Sequence, residues 1–384
     1  MKIDRFHMER TQCLYENEVK YNLSESGVLP LTLGDLVSGD ARKKLDALPL
    51  GYPHSTGRDS LRRNIARFYG APDHTCVTVT NGGSEANYMT LWGLVGPKDR
   101  VAFMVPNYLQ GWGIARAYGK QTSAYRLVMK RNTDGAWRWQ LDRDSLRKAV
   151  TKTTRVIVVT NPNNPTGYVL SDDEMQFIID EAKRVGAWIL ADEIYRGAEV
   201  SGPLSPTFWG RYDKVIISSG LSKAFALPGL RTGWLVAPPT MIDHLVQYHD
   251  YLTLTPARLS DHLADIVMQP KRRDEVLART RSIIAANLPL LEKWIAKHAD
   301  ILDYARPHAG AIATVKYHLP IGSVALFDRL RKEQSVLITP GSHFGIGNYL
   351  RIGFGYNVTK LKAGLRRIDT IFDELRKKKP RAKA

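Results

Sequence analysis

The chain has 384 residues, of which 43% are hydrophobic and 24% are charged, a composition that predicts a globular protein with a substantial buried core. No apolar run reaches the roughly 18 residues that cross a membrane, and the charged N-terminus lacks the apolar segment of a signal peptide. We therefore expect a cytoplasmic protein without a membrane partner. Two cysteines and scattered histidines predict neither a disulfide framework nor a metal site.

The formal net charge of +17 is partly concentrated at the C-terminus, because residues 376–384 contain six basic residues and no acidic one. We expect 375–384 to form a basic, disordered tail. The remaining basic excess is compatible with nucleic-acid binding, with attraction of anionic substrates or with solubility alone. No helix-turn-helix, zinc finger or RNA-binding motif accompanies it, so we expect no nucleic-acid partner.

From about residue 77 onwards, short apolar runs alternate with longer helical patterns, which is typical of parallel strands joined by crossover helices. Most runs lack polar alternation, as expected for strands that are covered on both faces. Between two of the runs, Ser171 and Glu174 have capping-box spacing before an apolar stripe, which predicts a helix. The candidate strands are 76–80, 100–106, 155–160, 187–192, 214–219 and 233–237.

A long helical pattern straddles residue 285, and shorter strands and helices follow it. We expect an α/β fold with a three-layer αβα large domain over 49–284, built on a mostly parallel sheet. A smaller α+β domain over 285–374 would recruit the N-terminal segment 1–48.

Polar or special residues follow the ends of the candidate strands. Because ligands bind outside the carboxyl ends of the strands in open α/β sheets, we expect these clusters to converge on one site. They are 82–84, Tyr108, 161–167, 192–195, and Ser222 with Lys223.

Lys223 lies in the stretch "SGLSKAFALPGLRTGW", among small apolar residues that permit burial. A lysine can carry an electrophile only if its amine is unprotonated part of the time, which requires surroundings that lower its pKa. Taken alone, a lysine at this position is more often an ordinary solvated loop residue. Arg231, eight residues later, suits a bidentate grip on phosphate, and together they suggest a phosphorylated aldehyde cofactor.

The stretch "TNGGSEANY" follows a strand and begins a helix. Gly82 and Gly83 let the backbone approach an anion, Ser84 offers a hydroxyl, and the helix N-terminus supplies free N–H groups, which together predict a phosphate cup. A glycine pair at such a turn can also have a purely steric role.

Asp192 ends an apolar strand in "ADEIYRG", where a buried carboxylate needs a cation such as a protonated pyridine nitrogen. The alternative is a helix N-cap. Tyr195 can reach the same ligand with its phenol oxygen. The stretch "NPNNPTG" at 161–167 is unusually dense in turn-forming residues and amides. Tyr108 can stack on an aromatic ligand or belong to the core.

Together, "NPNNPTG", "ADEIY", "SGLSKAFALPGLRTGW" and "YLRIGFG" resemble the class I/II aminotransferases of fold type I, in the aspartate aminotransferase superfamily, over about 50–365. The resemblance implies pyridoxal 5'-phosphate as cofactor and Lys223 as the Schiff-base lysine that also moves the proton. Asp192 would pair with the pyridine nitrogen, Tyr195 and Asn164 would contact the ring hydroxyl, and Tyr108 would stack on the ring.

The resemblance also implies how the phosphate and the substrate are held. Arg351 would clamp the substrate α-carboxylate, beside Asn164. Tyr52 would reach the phosphate of a neighbouring subunit, so that a homodimer with shared sites is expected. The phosphate would be held by Gly82, Gly83, Ser84, Ser222 and Arg231.

Two departures from the family pattern stand out. Gly220 replaces a hydroxyl residue found in many relatives three positions before the lysine. Near the N-terminus many relatives carry a Gly-x-Pro-Asp/Glu segment that closes over the substrate, and this chain has "NLSESGVLPLTLGDL" in its place. That stretch resembles a branch that includes both aminotransferases and capreomycidine-synthase-like enzymes.

The expected reaction is amino-group transfer between an L-amino acid and a 2-oxo acid. The alternatives are a lyase, cyclase or oxidase of amino acids that uses the same cofactor, and a non-catalytic ligand sensor. Arg258 and His343 are candidates for reading the substrate side chain, although either one can instead be an ordinary surface or interface residue.

Overall fold

The computed structural model describes residues 3–118 and 121–377. The helices are α1 (His7–Tyr15), α2 (Leu33–Leu36), α3 (Gly39–Asp46), α4 (Asp59–Tyr69), α5 (Gly83–Leu94), α6 (Gln110–Tyr118), α7 (Arg143–Ala149), α8 (Asp172–Val185), α9 (Pro239–His249), α10 (Arg258–Met268), α11 (Pro270–Lys297), α12 (Ser323–Gln334) and α13 (Val358–Lys377). The strands are β1 (Tyr21–Asn22), β2 (Val77–Thr80), β3 (Arg100–Val105), β4 (Gln121–Arg131), β5 (Trp137–Leu141), β6 (Thr154–Thr160), β7 (Trp188–Asp192), β8 (Val215–Gly220), β9 (Gly233–Val236), β10 (Leu302–Tyr304), β11 (Ile312–Tyr317), β12 (Val336–Leu337), β13 (Thr339–Pro340) and β14 (Tyr349–Gly353).

A central sheet in the order β2-β9-β8-β7-β6-β3-β4-β5 forms the middle layer of the molecule. Strands β8, β7, β6, β3 and β4 run parallel, and the residues of β6 and β8 are almost all buried, as expected for strands with helices on both faces. The predicted α/β fold is confirmed, and the six candidate strands correspond to β2, β3, β6, β7, β8 and β9. The predicted helix after Ser171 is α8, and its capping box is formed.

Strand β9 departs from the predicted parallel order, because it pairs antiparallel with both β8 and β2. A parallel connection needs a crossover, usually a helix, but only a 3-10 turn at Pro228–Leu230 lies between β8 and β9. The Leu221 N–H donates to the Thr232 carbonyl and closes this connection into a hairpin. Lys223 and Arg231 therefore lie in one loop, and the carboxyl ends of β2 and β8 share one edge of the sheet.

The hairpin of β4 and β5 is absent from the sequence-based strand list. Strand β4 carries exposed and charged residues and lies near the sheet edge, so it lacks the continuous apolar run of the buried strands.

Two smaller sheets combine strands from both ends of the described chain. Strands β10, β11, β14 and β13 form one sheet, and β1 pairs in parallel with β12. The Gly353 N–H donates to the Leu23 carbonyl, and a Cβ at Gly353 would overlap the Glu25 carbonyl. This close approach holds the N-terminal segment against β14 and fixes the position of Glu25.

The predicted domain boundaries stay a prediction. The secondary structure differs from two of them. Helix α11 runs unbroken across 284 and 285. Residues 375–377 of the predicted disordered tail are the end of α13, because Leu375 packs into the core, and 378–384 lie outside the described residues. No helix of the described chain is both long and apolar enough to cross a membrane.

Candidate active site

A cavity of about 720 Å³ lies at the edge of the sheet where β2, β3, β6, β7 and β8 end. It brings together residues from each of the five clusters predicted to converge. The predicted residues that line it are Gly83, Ser84, Tyr108, Asn164, Asp192, Tyr195, Ser222, Lys223 and Arg231.

Asp192 is the last residue of β7, and its carboxylate is held by two donors. The Ile194 N–H donates to Oδ1 at 3.1 Å, and Asn87 Nδ2 donates to Oδ2 at 3.2 Å. The Ser218 hydroxyl donates to Asn87 Oδ1 at 2.6 Å and thereby turns the amide N–H₂ towards Asp192. Desolvation raises the pKa of Asp192, although the two hydrogen bonds lower it. A cation beside this carboxylate would offset the free-energy cost of keeping it charged in the desolvated site.

The three asparagines of the loop at 161–167 make different contacts. Asn161 accepts from the Leu170 N–H, and Asn163 accepts from the Thr166 hydroxyl at 2.7 Å, so both amides stabilise the turn itself. Asn164 instead lines the cavity, and its Oδ1 accepts from Arg351 Nη1 at 2.9 Å.

Arg351 on β14 is only 1% exposed and does not itself line the cavity, but it contacts Asn164, which does. Its Nη2 donates to the Ser24 carbonyl and to Thr339 Oγ1, while its Nε has no acceptor among the described residues. Burial lowers the pKa of Arg351, and the nearby Tyr195 and Glu25 oppose that shift. A buried guanidinium N–H without an acceptor would be satisfied by an incoming carboxylate.

The Lys223 amine donates to Glu25 Oε1 at 3.0 Å, in a pair whose side chains are 25% and 21% exposed. The sequence predicts a lowered pKa for this amine, and the structure contradicts that prediction. Burial is the largest single influence and lowers the pKa of Lys223, but attraction to Glu25 and Tyr195 and the hydrogen bond to Glu25 together outweigh it, so the pKa is raised. In return, Lys223 holds the pKa of Glu25 at about 2.

Two tyrosines line the cavity in different ways. Tyr195 is 2% exposed, and its hydroxyl has no hydrogen-bond partner in the part of the chain that the structure describes. Tyr108 donates to Glu9 Oε1 at 2.8 Å and makes an edge contact with Phe6. Burial, and then Glu9, raise the pKa of Tyr108. The phenol group of Tyr195 is thus available to a ligand.

Hydroxyl and guanidinium groups gather where α5 begins. Gly83, Ser84, Ser222 and Arg231 line this part of the cavity. Gly82 precedes the helix with φ +100°, and a Cβ there would lie 2.6 Å from Arg231 Nη2. Only glycine gives the guanidinium this space, so the turn and the cation together form an anion site at a helix N-terminus.

Three candidate residues lie away from the cavity. Tyr52 is 83% exposed and borders a surface depression that Arg258 also lines. His343 lines a separate groove and stacks on His7, and burial lowers its pKa to about 4.

No residue of the N-terminal segment was among the predicted site residues, although the stretch that contains Glu25 and Ser26 corresponds to one that closes over the substrate in many relatives. Helix α1 and the residues after β1 line the cavity, through contacts that join positions about 200 residues apart. Asn87 could have been found, since it lies one turn after Gly83 in α5. The lining residues that were missed are Phe6, Met8, Glu9, Gln12, Cys13, Glu16, Glu25, Ser26, Asn87, Gln110, Thr160, Ile194 and Pro228.

Comparison with known proteins gives a family match over most of the chain. The family described as aminotransferase class I and II matches residues 44–368. The chain belongs to this aminotransferase family. Its cofactor is accordingly pyridoxal 5'-phosphate, as in the structurally similar proteins below.

Relatives of this aminotransferase-family chain differ in the reactions that their names describe. It is 30% identical to capreomycidine synthase from Streptomyces vinaceus, with 91% of this chain and 88% of that protein covered. A PLP-dependent aminotransferase from Streptococcus suis 89-1591 is 29% identical with a TM-score of 0.89, covering 98% of this chain and 99% of its own. The PLP-dependent cyclase OrfR is 26% identical with a TM-score of 0.85, covering 98% of each chain.

The residues of the cavity fit pyridoxal 5'-phosphate on their own chemistry. The anion site at α5 suits a phosphate, and the desolvated Asp192 carboxylate suits a protonated ring nitrogen. The unpartnered Tyr195 hydroxyl suits a ring oxygen, and Lys223 supplies the amine that an aldehyde requires.

Proposed function

We propose that this protein is a pyridoxal-phosphate-dependent aminotransferase that moves an amino group between an L-amino acid and a 2-oxo acid, using Lys223. The observation that carries this proposal is the placement of the Lys223 amine and the Asp192 carboxylate in one cavity with an anion site at α5. The amine, the acid and the anion site match three features of the cofactor, which are its aldehyde, its ring nitrogen and its phosphate.

The chain's residues would divide the work as follows. Ser84, Ser222 and Arg231 bind the phosphate, and Asp192 keeps the proton on the ring nitrogen. When bound, the cofactor supplies an electron sink for the negative charge that develops at the substrate Cα. Arg351 binds the α-carboxylate, supported by its unpartnered Nε–H.

Proton transfer would fall to Lys223, which must first lose its own proton to act as a base. The Glu25 carboxylate opposes that loss, because it stabilises the ammonium form. The N-terminal segment lines the cavity with Phe6 and Met8, and these apolar side chains would exclude water from the transfer.

A second candidate is a lyase or cyclase. Two of the similar proteins are named as a capreomycidine synthase and as a cyclase, at identities close to that of the aminotransferase. Glu25, 3.0 Å from Lys223, would add a second acid–base group to the same site.

The test is to incubate the purified holoenzyme with single amino acids and a 2-oxo acid acceptor, and to identify the products. We expect a new 2-oxo acid and an aminated acceptor in equal amounts. Ammonia or a cyclic product without an aminated acceptor would contradict transamination and favour the second candidate.

Variants of two lysines test the role of Lys223. Lys223→Ala should lower turnover by about 100-fold or more, because a positioned proton-transfer group contributes on the order of 10²–10⁴. Exposed Lys271 is the matched control, and Lys271→Ala should keep full activity. Full turnover by Lys223→Ala would contradict the assigned role.

A further inference from the structure

The cavity wall formed by the N-terminal segment is strongly acidic, although the chain as a whole is basic. Glu9, Glu16 and Glu25 line the cavity from this segment. Glu9 and Glu16 are seven residues apart, so they lie on one face of the helical segment that starts at His7. A net charge of +17 makes three carboxylates at one ligand cavity an unexpected concentration.

The cations that line the same cavity do not balance these carboxylates. Lys223 pairs with Glu25, and Arg231 belongs to the anion site. Glu9 has a neutral partner, the Tyr108 hydroxyl, and the Glu16 carboxylate has no hydrogen-bond or ion-pair partner within 3–118 and 121–377. Arg351 lies near Glu9 and Glu25, but its Nη groups are already bound to Asn164, Ser24 and Thr339.

Ligand binding leaves the acidic wall without a spare cation. In the proposed reaction Arg231 binds the phosphate of the cofactor and Arg351 binds the α-carboxylate of the substrate, so neither guanidinium neutralises Glu9 or Glu16. When Lys223 is unprotonated and acts as a base, Glu25 also lacks its cation.

A feature outside the N-terminal segment marks the same cavity as the site of the cofactor. The Tyr195 hydroxyl is buried, faces the cavity and is unpartnered among the described residues, so the acidic wall belongs to a cavity that is built to receive a polar ligand.

From this arrangement we propose that the amino-acid substrate has a cationic side chain, a guanidinium or an ammonium group, which Glu16 and Glu9 of the N-terminal segment bind. This inference rests on the proposed function for the identity of the α-carboxylate and amine sites. The apolar Phe6 and Met8 line the same wall and would contact the methylene groups of a long side chain. Gln12 donates to Glu25 Oε2 at 3.2 Å and keeps that carboxylate at the cavity.

The test compares amino acids of similar shape that differ in charge, using the wild-type holoenzyme. Arginine is paired with citrulline and lysine with norleucine, and binding is measured by calorimetry alongside kcat/KM. We expect the cationic member of at least one pair to bind about 10 to 100 times more tightly, because hydrogen bonds between charged partners are the stronger ones. Equal binding within both pairs would overturn the inference.

Two isosteric variants identify the residues responsible. Glu16→Gln should reduce the charged-to-neutral ratio about tenfold and leave the binding of citrulline and norleucine unchanged. Glu18→Gln is the matched control, since Glu18 is exposed and outside the cavity, and it should keep the wild-type ratio. An unchanged ratio in a Glu9→Gln, Glu16→Gln double variant would also overturn the inference.

The two proposals fail in different ways. Selective binding of arginine or lysine without formation of an aminated acceptor would contradict transamination and leave the substrate class intact. Efficient transamination of neutral amino acids, with no preference for charged ones, would contradict the substrate class alone.

Discussion

Asp192 shows how a single residue acquires a role from its surroundings. Its sequence position, at the end of an apolar strand, was enough to predict a carboxylate at the carboxyl edge of the sheet. The orientation of that carboxylate depends on Asn87 and Ser218, which come from α5 and β8. A local sequence pattern cannot show these hydrogen bonds, because each one joins residues more than 100 positions apart.

Asp192→Asn tests the charge at this position. We expect kcat/KM to fall by about 100-fold or more, because loss of a preorganised electrostatic group typically costs on the order of 10²–10³. The fold, followed by circular dichroism, should be unchanged. Asp173→Asn, on the exposed start of α8, is the control and should have wild-type activity. Wild-type kcat/KM in Asp192→Asn would exclude the proposed role.

The pair of Lys223 and Glu25 predicts a pH dependence of stability in the cofactor-free protein. The pKa of Glu25 falls from 4.5 to about 2 on folding, chiefly because of Lys223. The unfolded chain therefore binds more protons between these values, so the stabilisation is present above pH 4.5 and is lost as the pH falls towards 2. Urea unfolding from pH 7 to pH 3 should show a smaller loss of stability for Glu25→Gln than for the wild type. Parallel curves for the two proteins would contradict the pairing.

At the scale of elements, the connections decide which side chains meet. The loop between β8 and β9 carries both Lys223 and Arg231, and it closes as a hairpin because it contains no crossover helix. The turn between β2 and α5 meets this loop at Gly82, next to Arg231. The sequence predicted both turns as parts of one site, but the direction of β9 follows from its pairing with two neighbouring strands.

Gly82→Ala tests the fit between this turn and Arg231. The backbone at Gly82 has φ +100°, and the added methyl group would displace the guanidinium, so we expect cofactor affinity to fall about tenfold or more. Gly135→Ala is the matched control, because Gly135 also has a positive φ but has open space around its Cβ position. Both variants should lose about 1–3 kcal/mol of stability, and only Gly82→Ala should bind cofactor more weakly, as measured by equilibrium titration. Equal affinities would contradict the proposed phosphate site.

At the scale of the whole molecule, the exposed position of Tyr52 is compatible with the homodimer that the family resemblance implies. The side chains of Tyr52 and Leu50 are exposed and border a depression that Arg258 also lines, and Tyr52 does not line its own chain's cavity. From this position, the phosphate contact that the resemblance implies for Tyr52 would be made in the site of another subunit.

Mixed dimers test whether the sites are shared. We expect Lys223→Ala to be inactive and Tyr52→Ala to bind cofactor more weakly, by a few-fold to about tenfold for one lost hydrogen bond. Mixed dimers should regain one site with Lys223 from one subunit and Tyr52 from the other. Activity at low cofactor concentration should therefore rise on mixing the variants under conditions that exchange subunits. No increase on mixing, or a monomer by analytical ultracentrifugation, would contradict shared sites.

The sequence alone determined the α/β fold, six strands of the central sheet and most residues at their carboxyl ends, because buried strands and special turns leave local patterns of apolar, glycine and proline residues. Tertiary structure decided the direction of β9, the raised pKa of Lys223 and the acidic wall of the cavity. These features depend on contacts between distant segments, above all the approach of Glu25 to Lys223 past Gly353. A local sequence pattern cannot show such contacts, because the residues that meet are far apart in the sequence. Only folding places the N-terminal segment over the carboxyl edge of the sheet.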